Sequence, residues 1–352
     1  MNLRLKKLFA RLKPAGLDGL LLNVPANISY LLQYLSRDSY LLASPDGLIY
    51  ITDSRYTSEA RQHLTGMADI RTYKGNLFET IGGSCADLGI KRLGFEERFL
   101  PYAEFHKIKE KLRGVQLLVG GGHVETLRQI KDAGELAKIR AAVTITLQAL
   151  DFIQDFLQPG IRELEVAAEL ERFIRYAGAQ QASFETIVAF GPNAAYPHHV
   201  TGSRKLQTGE MALIDMGVDY AGYKSDLTRT FILDRITLLA RKVYDVVKKA
   251  QTRAIRAIRP GVRASILDGI ARRYIAKHGF GRYFGHNLGH GVGLTIHEAP
   301  SLSPQSNILM EPGMVFTVEP GIYLPGKVGV RIEDMVRVTE KGAQVISGAV
   351  DQ

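Results

Sequence analysis

Four carboxylates stand out by context and spacing. Asp215 lies in the run LIDMGVDY and Asp226 in KSDLTRT, while Glu319 lies in FTVEPGIY and Glu333 in VRIEDM. Asp215 and Glu319 are 104 residues apart, Asp226 and Glu333 107. Leu213-Ile214 precedes Asp215, Val315-Phe316-Thr317-Val318 precedes Glu319 and Ile332 precedes Glu333. A carboxylate ending an apolar, β-like run is poorly placed to serve solubility. Taken singly, each could be a strand-end acid paired with an arginine. Taken together, at a common offset, they suggest two similar halves that each contribute two acids to one pocket. Four bare anions at a few Å repel and take protons unless cations neutralise them, and two divalent ions supply the needed charge.

Histidines crowd the same region: six of the nine fall between His198 and His297. The run GHNLGHGVGLTIHEAP carries His286, His290 and His297. Its glycines argue against a regular helix, so the His286/His290 spacing is not a helical zinc pair. Gly-rich backbone instead permits close approach to a ligand or another strand. Three histidines in twelve residues there favour metal binding or proton transfer. His198 and His199 follow Pro197 in a loop, where a substrate contact and plain loop histidines are both credible. His63, His106, His123 and His278 read as ordinary.

The elements that must position these groups divide into two regions. Up to about residue 120 the chain alternates helices and strands. Helices are expected at Met1 to Lys13, Asn27 to Leu35, 55–64, 77–88 and 101–112. Strands are expected at 18–23, 39–43, 48–51, 69–73, 92–95 and 115–119, with a hairpin turn at Pro45-Asp46-Gly47. Gly120-Gly121-Gly122 is a natural boundary, giving domains 1–122 and 123–352. Beyond it come helices at 134–157 and up to Tyr176, β-rich runs over 184–233, helices at 237–258 and 264–277, and β-like runs through Val345. Residues 158–174 (QPGIRELEVAAELERFI) and 259–275 (RPGVRASILDGIARRYI) match Pro, Gly, two Arg and the final Ile at an offset of 101. Pro-Gly before a helix is common punctuation, but the acids recur at nearly the same offset.

At these residues the chain resembles the pita-bread metallopeptidases, the family of Xaa-Pro dipeptidase (prolidase), aminopeptidase P and methionine aminopeptidase. The resemblance rests on LIDMG, SDLTRT, GHGVGLTIHE, EPGMVFTVEPGIY and GVRIED, and it covers essentially the whole chain. It implies an α+β pita-bread catalytic domain of duplicated half-domains, preceded by an α/β creatinase-like domain. It implies Asp215, Asp226, His290, Glu319 and Glu333 as ligands of two divalent ions, with Asp226 and Glu333 bridging. The donor set of carboxylates and one imidazole favours Mn²⁺, with Co²⁺ or Zn²⁺ as alternatives. His198, His286 and His297 match histidines around the substrate, Arg331 an arginine near the metals, and Tyr323 the same wall. The implied reaction is hydrolysis of the Xaa-Pro bond of dipeptides or short peptides by a metal-bridging hydroxide. Glu319 would shuttle the proton, with His297 and His198 assisting at the carbonyl. A homodimer is also implied.

Composition is ordinary for a soluble globular protein: 352 residues, 45% hydrophobic, 23% charged. The single Cys85 allows no internal disulfide and suits the cytoplasm, and no apolar run is long enough for a spanning helix. The alternative reading is a non-enzymatic peptide- or nucleic-acid-binding protein on the same fold. A metal-independent creatine-hydrolysing enzyme is a third. The intact set of five ligands disfavours both. The net charge of +9 traces to residues 235–282, with 13 Lys+Arg against Asp245 and Asp268. Leu239, Val243, Val246, Ala250, Ala254 and Ala257 follow helical spacing towards a core, leaving the bases on a solvated face. Nucleic acid is therefore not an expected partner; short proline-containing peptides are.

Overall fold

The computed structural model describes residues 2–348. Met1, where the first expected helix begins, and residues 349–352 lie outside the described residues. Two compact units divide the chain after Arg128.

The first unit is a six-stranded mixed sheet in the order 69–72, 47–52, 39–44, 19–22, 92–95, 116–119. Gly19–Leu22 is buried along its whole length, as a central strand covered on both faces must be. It pairs antiparallel with Ser39–Ser44 and parallel with Arg92–Phe95. The expected boundary at 122/123 falls short by one helix. His123–Arg128 belongs to the first unit. It is tied there by Arg128 Nη1, which donates to Asn27 Oδ1 at 2.7 Å, and by Asn27 Nδ2, which donates to Glu125 at 2.9 Å. The glycine run breaks the chain, but the polar network behind it decides where the unit ends.

The second unit is built twice. Helices Ala133–Gln154 and Glu163–Tyr176 accompany the sheet of Ile187–Phe190, Met211–Met216 and Leu227–Ile232. Helices Leu238–Arg256 and Ala264–Lys277 accompany a sheet containing Gly289–Gly291, Val315–Val318 and Asp334–Thr339. The matched Pro-Gly segments repeat in detail. Gly160 and Gly261 take φ of +96° and +81°, the left-handed conformation that glycine adopts without strain. Gly160 N–H then donates to Leu206 O, and Gly261 N–H to Met310 O, at 2.9 Å in both halves. Each half supplies most of one apolar cluster between helices and strands, with Met211 joining the second half's cluster and Val292, Val315 and Met335 joining the first half's.

On Leu238–Arg256 the buried apolar stripe is Ala240, Val243, Val246, Val247, Ala250, Ala254 and Ile255, with Gln251 buried beside it. Leu239, expected inside, is 38% exposed, because Ala240 takes the inward position in the first turn. The bases on the outer faces of this helix pair are exposed, as expected. Arg272 is half-buried and pairs with buried Asp268. Among the described residues no helix is long and apolar enough to cross a membrane.

Candidate active site

Strand register explains how distant acids meet. Met211–Met216 carries Asp215 opposite Thr228 on its antiparallel neighbour, and Asp226 sits just before that neighbour begins. In the second half, Glu319 directly follows Val315–Val318, and Glu333 directly precedes Asp334–Thr339, which pairs with it. His290 is the middle residue of Gly289–Gly291. Its flanking glycines are required by space. A Cβ on Gly289 would lie 1.9 Å from Thr317 O, and one on Gly291 2.3 Å from Ala299 O. The two halves are joined at the site itself: Glu333 N–H donates to Thr228 O, and Thr228 Oγ1 donates to Glu333 Oε2 at 2.6 Å.

Asp226, His290 and Glu333 each offer a ligand atom, all within 4.8 Å of one another. His290 Nδ1 lies 3.1 Å from Gly291 O. A carbonyl only accepts, so Nδ1 carries the proton and Nε2 presents its lone pair. That lone pair faces Asp226 Oδ2 at 3.4 Å and Glu319 Oε1 at 3.3 Å. Three acceptors aimed at each other are repulsive until a cation or a proton lies among them. Asp215 Oδ1 is buried without a hydrogen-bond partner, a second acceptor awaiting a positive ligand. The donor set thus fits divalent cations.

Ionisation tells the same story. Burial raises the Asp226 carboxyl well above its ordinary value, and the charges of Glu333, Asp215 and Glu319 add to this. Burial raises Glu333 likewise, with Glu319 and Asp215 adding. Burial pushes Glu319 up to about 7, against the opposing charge of Arg331. His290 is lowered to about 4, by burial and then by His297, so it is neutral and ready to ligate at neutral pH.

The remaining expected residues, His198, His286, His297, Tyr323 and Arg331, line one cleft of about 850 Å³ together with the four acids and His290. Buried Arg331 is spent on fixing the site. Nη2 donates to Asp215 Oδ2 at 2.5 Å, Nη1 to the Tyr323 hydroxyl at 2.9 Å, and Nε to Thr228 Oγ1 at 3.0 Å. His286 Nδ1 lies 2.8 Å from Asn287 O and therefore donates to it, leaving Nε2 to accept from the Tyr323 hydroxyl at 2.9 Å. His286 is lowered to about 4, first by burial and then by Arg331. His297 packs edge-on against His290 with ring centroids 4.2 Å apart. Every expected site residue is brought to this one cleft.

Sequence reasoning missed three supports. Thr228 and Thr317, the latter donating to Glu319 at 2.9 Å, sit inside the recognised motifs and could have been found there. Buried Glu163, 52 residues before Asp215, carried no signal.

The chain belongs to metallopeptidase family M24. The family model matches residues 137–340, and the creatinase/prolidase N-terminal domain model matches residues 4–130. The fold is accordingly the pita-bread catalytic domain with a creatinase-like α/β domain before it. The chain is 38% identical to an uncharacterized peptidase of Bacillus subtilis, YqhT, over 98% of this chain and 96% of that one. It superposes on a solved Xaa-Pro dipeptidase from Bacillus anthracis with a TM-score of 0.94 at 38% identity, covering 98% and 97% of the two chains. An X-Pro aminopeptidase from Thermotoga maritima matches with a TM-score of 0.88 at 33% identity, covering 96% and 98%. Membership of this family implies divalent metal ions and peptide substrates.

Proposed function

We propose that this chain is an Xaa-Pro metallo-exopeptidase, with Asp215, Asp226, His290, Glu319 and Glu333 holding two divalent ions, Mn²⁺ in preference to Co²⁺ or Zn²⁺. The observation that carries the reading is the uncompensated acceptor cluster. Four carboxylates and one imidazole lone pair converge at the floor of a histidine-lined cleft. The names borne by the two solved relatives support the proline specificity. When bound, the metals would supply an acidified water and a Lewis acid for the scissile carbonyl.

The chain's own residues do the rest. Glu319 takes a proton from the attacking water and delivers it to the leaving proline nitrogen, which carries no hydrogen in the peptide and must gain one to depart. His297 and His198 donate hydrogen bonds to the oxygen on which charge develops. Arg331 and Tyr323 hold Asp215 and neutral His286 in place, so the floor does not rearrange during turnover.

The test is to strip metals with a chelator and restore Mn²⁺, Co²⁺ and Zn²⁺ separately. Ala-Pro and Ala-Pro-Pro are then compared as substrates. Hydrolysis of Ala-Pro identifies a dipeptidase, and hydrolysis of Ala-Pro-Pro alone an aminopeptidase. Hydrolysis of neither, with any metal, refutes the reading.

A further inference from the structure

Glu163 is the first residue of helix Glu163–Tyr176, and its side chain is wholly buried. The hydrolytic reaction does not use it. Yet four groups of one loop converge on its carboxylate. Oε1 accepts from Phe190 N–H at 2.9 Å and from Asn193 Nδ2 at 2.8 Å. Oε2 accepts from Gly202 N–H at 3.0 Å and meets His199 Nε2 at 2.9 Å. The loop between Phe190 and Gly202 is thereby closed around one side chain. At its far side Pro197 O accepts from Arg331 Nη1 at 3.3 Å. Between these two moorings stands His198, which lines the cleft. His199 turns inward to Glu163, and its neighbour lines the cleft.

The other half solves the same problem in a similar way. Asp268 is buried early in helix Ala264–Lys277 and accepts from Leu288 N–H at 3.1 Å. Its partner Arg272 donates to Phe284 O and His286 O. His198 and His286, one from each half, are thus carried by loops anchored on a buried acid of the short helix of their own half.

We propose that Glu163 is a positioning residue for peptide hydrolysis: it clasps the 190–202 loop so that His198 stays in register with the substrate carbonyl. The proposal rests on the peptidase reading of the site. A carboxylate is needed because all four partners present donors; a carboxamide would turn its own N–H towards Gly202 N–H and His199. A loop shift near 1 Å costs on the order of 100-fold in rate.

The test is a double-mutant cycle on the metal-loaded enzyme with Ala-Pro or Ala-Pro-Pro, whichever the wild type cleaves. Glu163→Gln lowers kcat about 10- to 100-fold with bound metal per chain unchanged. Glu163→Gln/His198→Ala is no slower than His198→Ala alone, because Glu163 acts through His198. Wild-type kcat in Glu163→Gln, or losses that multiply in the double variant, overturn the proposal. If Glu163→Gln does not fold, Asn193→Ala and His199→Ala, each removing one donor, take its place in the cycle. A loss of kcat that vanishes in the His198→Ala background then supports the clasp, and an unchanged kcat or multiplying losses overturn it. Should the wild type cleave no Xaa-Pro peptide, the peptidase reading fails separately. Amide exchange of residues 190–202 then decides: faster exchange in Glu163→Gln upholds the clasp, and unchanged exchange overturns it.

Discussion

Gly329 is where the smallest chemical change should have the largest geometric effect. It lies in Val328–Arg331, opposite Tyr323 on Gly321–Leu324, and on the same face as Arg331 two residues later. A Cβ there would stand 1.6 Å from Ala194 O and 2.2 Å from Ala194 C, where real Cβ atoms keep at least 3.0 Å. Gly329→Ala must therefore open the strand from the 191–197 segment by about 1.4 Å, the difference between 3.0 and 1.6 Å. Both contacts are backbone, so no side chain can swing aside. The Arg331 to Pro197 hydrogen bond spans this gap, and His198 follows Pro197. With a 1 Å misplacement costing about 100-fold, kcat should fall by roughly two orders of magnitude, about 3 kcal/mol in the barrier. Overpacking should also remove about 1–3 kcal/mol of stability. The assay is steady-state hydrolysis of the preferred Xaa-Pro peptide, with bound metal measured on the same sample. Gly326→Ala in the adjoining turn serves as the control. Its φ is +67° but nothing lies within 4 Å of a new Cβ, so it should lose about 1 kcal/mol of stability and little activity. Gly329→Ala with both metals bound and kcat within about threefold of wild type would refute the reasoning.

Asp226→Ala or Glu333→Ala should abolish binding of the metal pair and activity together, read by elemental analysis and turnover; near-normal turnover in purified Asp226→Ala protein would sink the ligand assignment. His297→Ala should lower kcat far more than metal content, and an equal loss of both would make His297 a ligand or a structural residue. Metal uptake should release more protons at pH 6 than at pH 8, because Glu319, raised to about 7, is mostly protonated at the lower pH and mostly ionised at the higher. His290, lowered to about 4, is neutral at both and adds nothing. Titration calorimetry in buffers of different ionisation heat measures the difference, and equal release at the two pH values would contradict it. Lys131→Ala should destabilise the catalytic unit by about 3 kcal/mol, since it strips Glu298 of a cation 2.7 Å away in a pair whose side chains are 1% and 9% exposed. Urea denaturation tests it, and a change below about 1 kcal/mol would count against the pair.

The four acids of the cleft were legible because Asp215, Glu319 and Glu333 follow apolar residues and the two pairs recur at nearly the same offset, 104 and 107 residues, a signal that survives without coordinates. The duplicated half was legible for the same reason: Pro-Gly punctuation and acid spacing agreed. What escaped were contacts that exist only through pairing between distant segments. Thr228 serves Glu333 from 105 residues away. Glu163 reads in sequence as an ordinary acid in a first helical turn, and its partners lie 27 to 39 residues downstream. His198 and His199 could not be told apart by type or context. Only the loop path sends one to the cleft and the other to Glu163. Leu239 failed for a simpler reason: over one turn, helical spacing fits Leu239 or Ala240 equally well, and packing chose the smaller residue.

The seam between the two halves of the catalytic unit has a consequence beyond catalysis. Asp215 and Asp226 come from one half, and Glu319 and Glu333 from the other, so acids press on the joint from both sides. In the empty protein the folded state holds a proton on Glu319 that the unfolded chain releases between about pH 4.5 and 7. That contribution to stability is complete at low pH and is lost as pH rises through about 7. Cations bound at the proposed ligands would replace the proton and act as rivets through the joint. Metal supply should therefore govern how long each copy of the chain survives, through its resistance to proteolysis, as well as how fast it turns over.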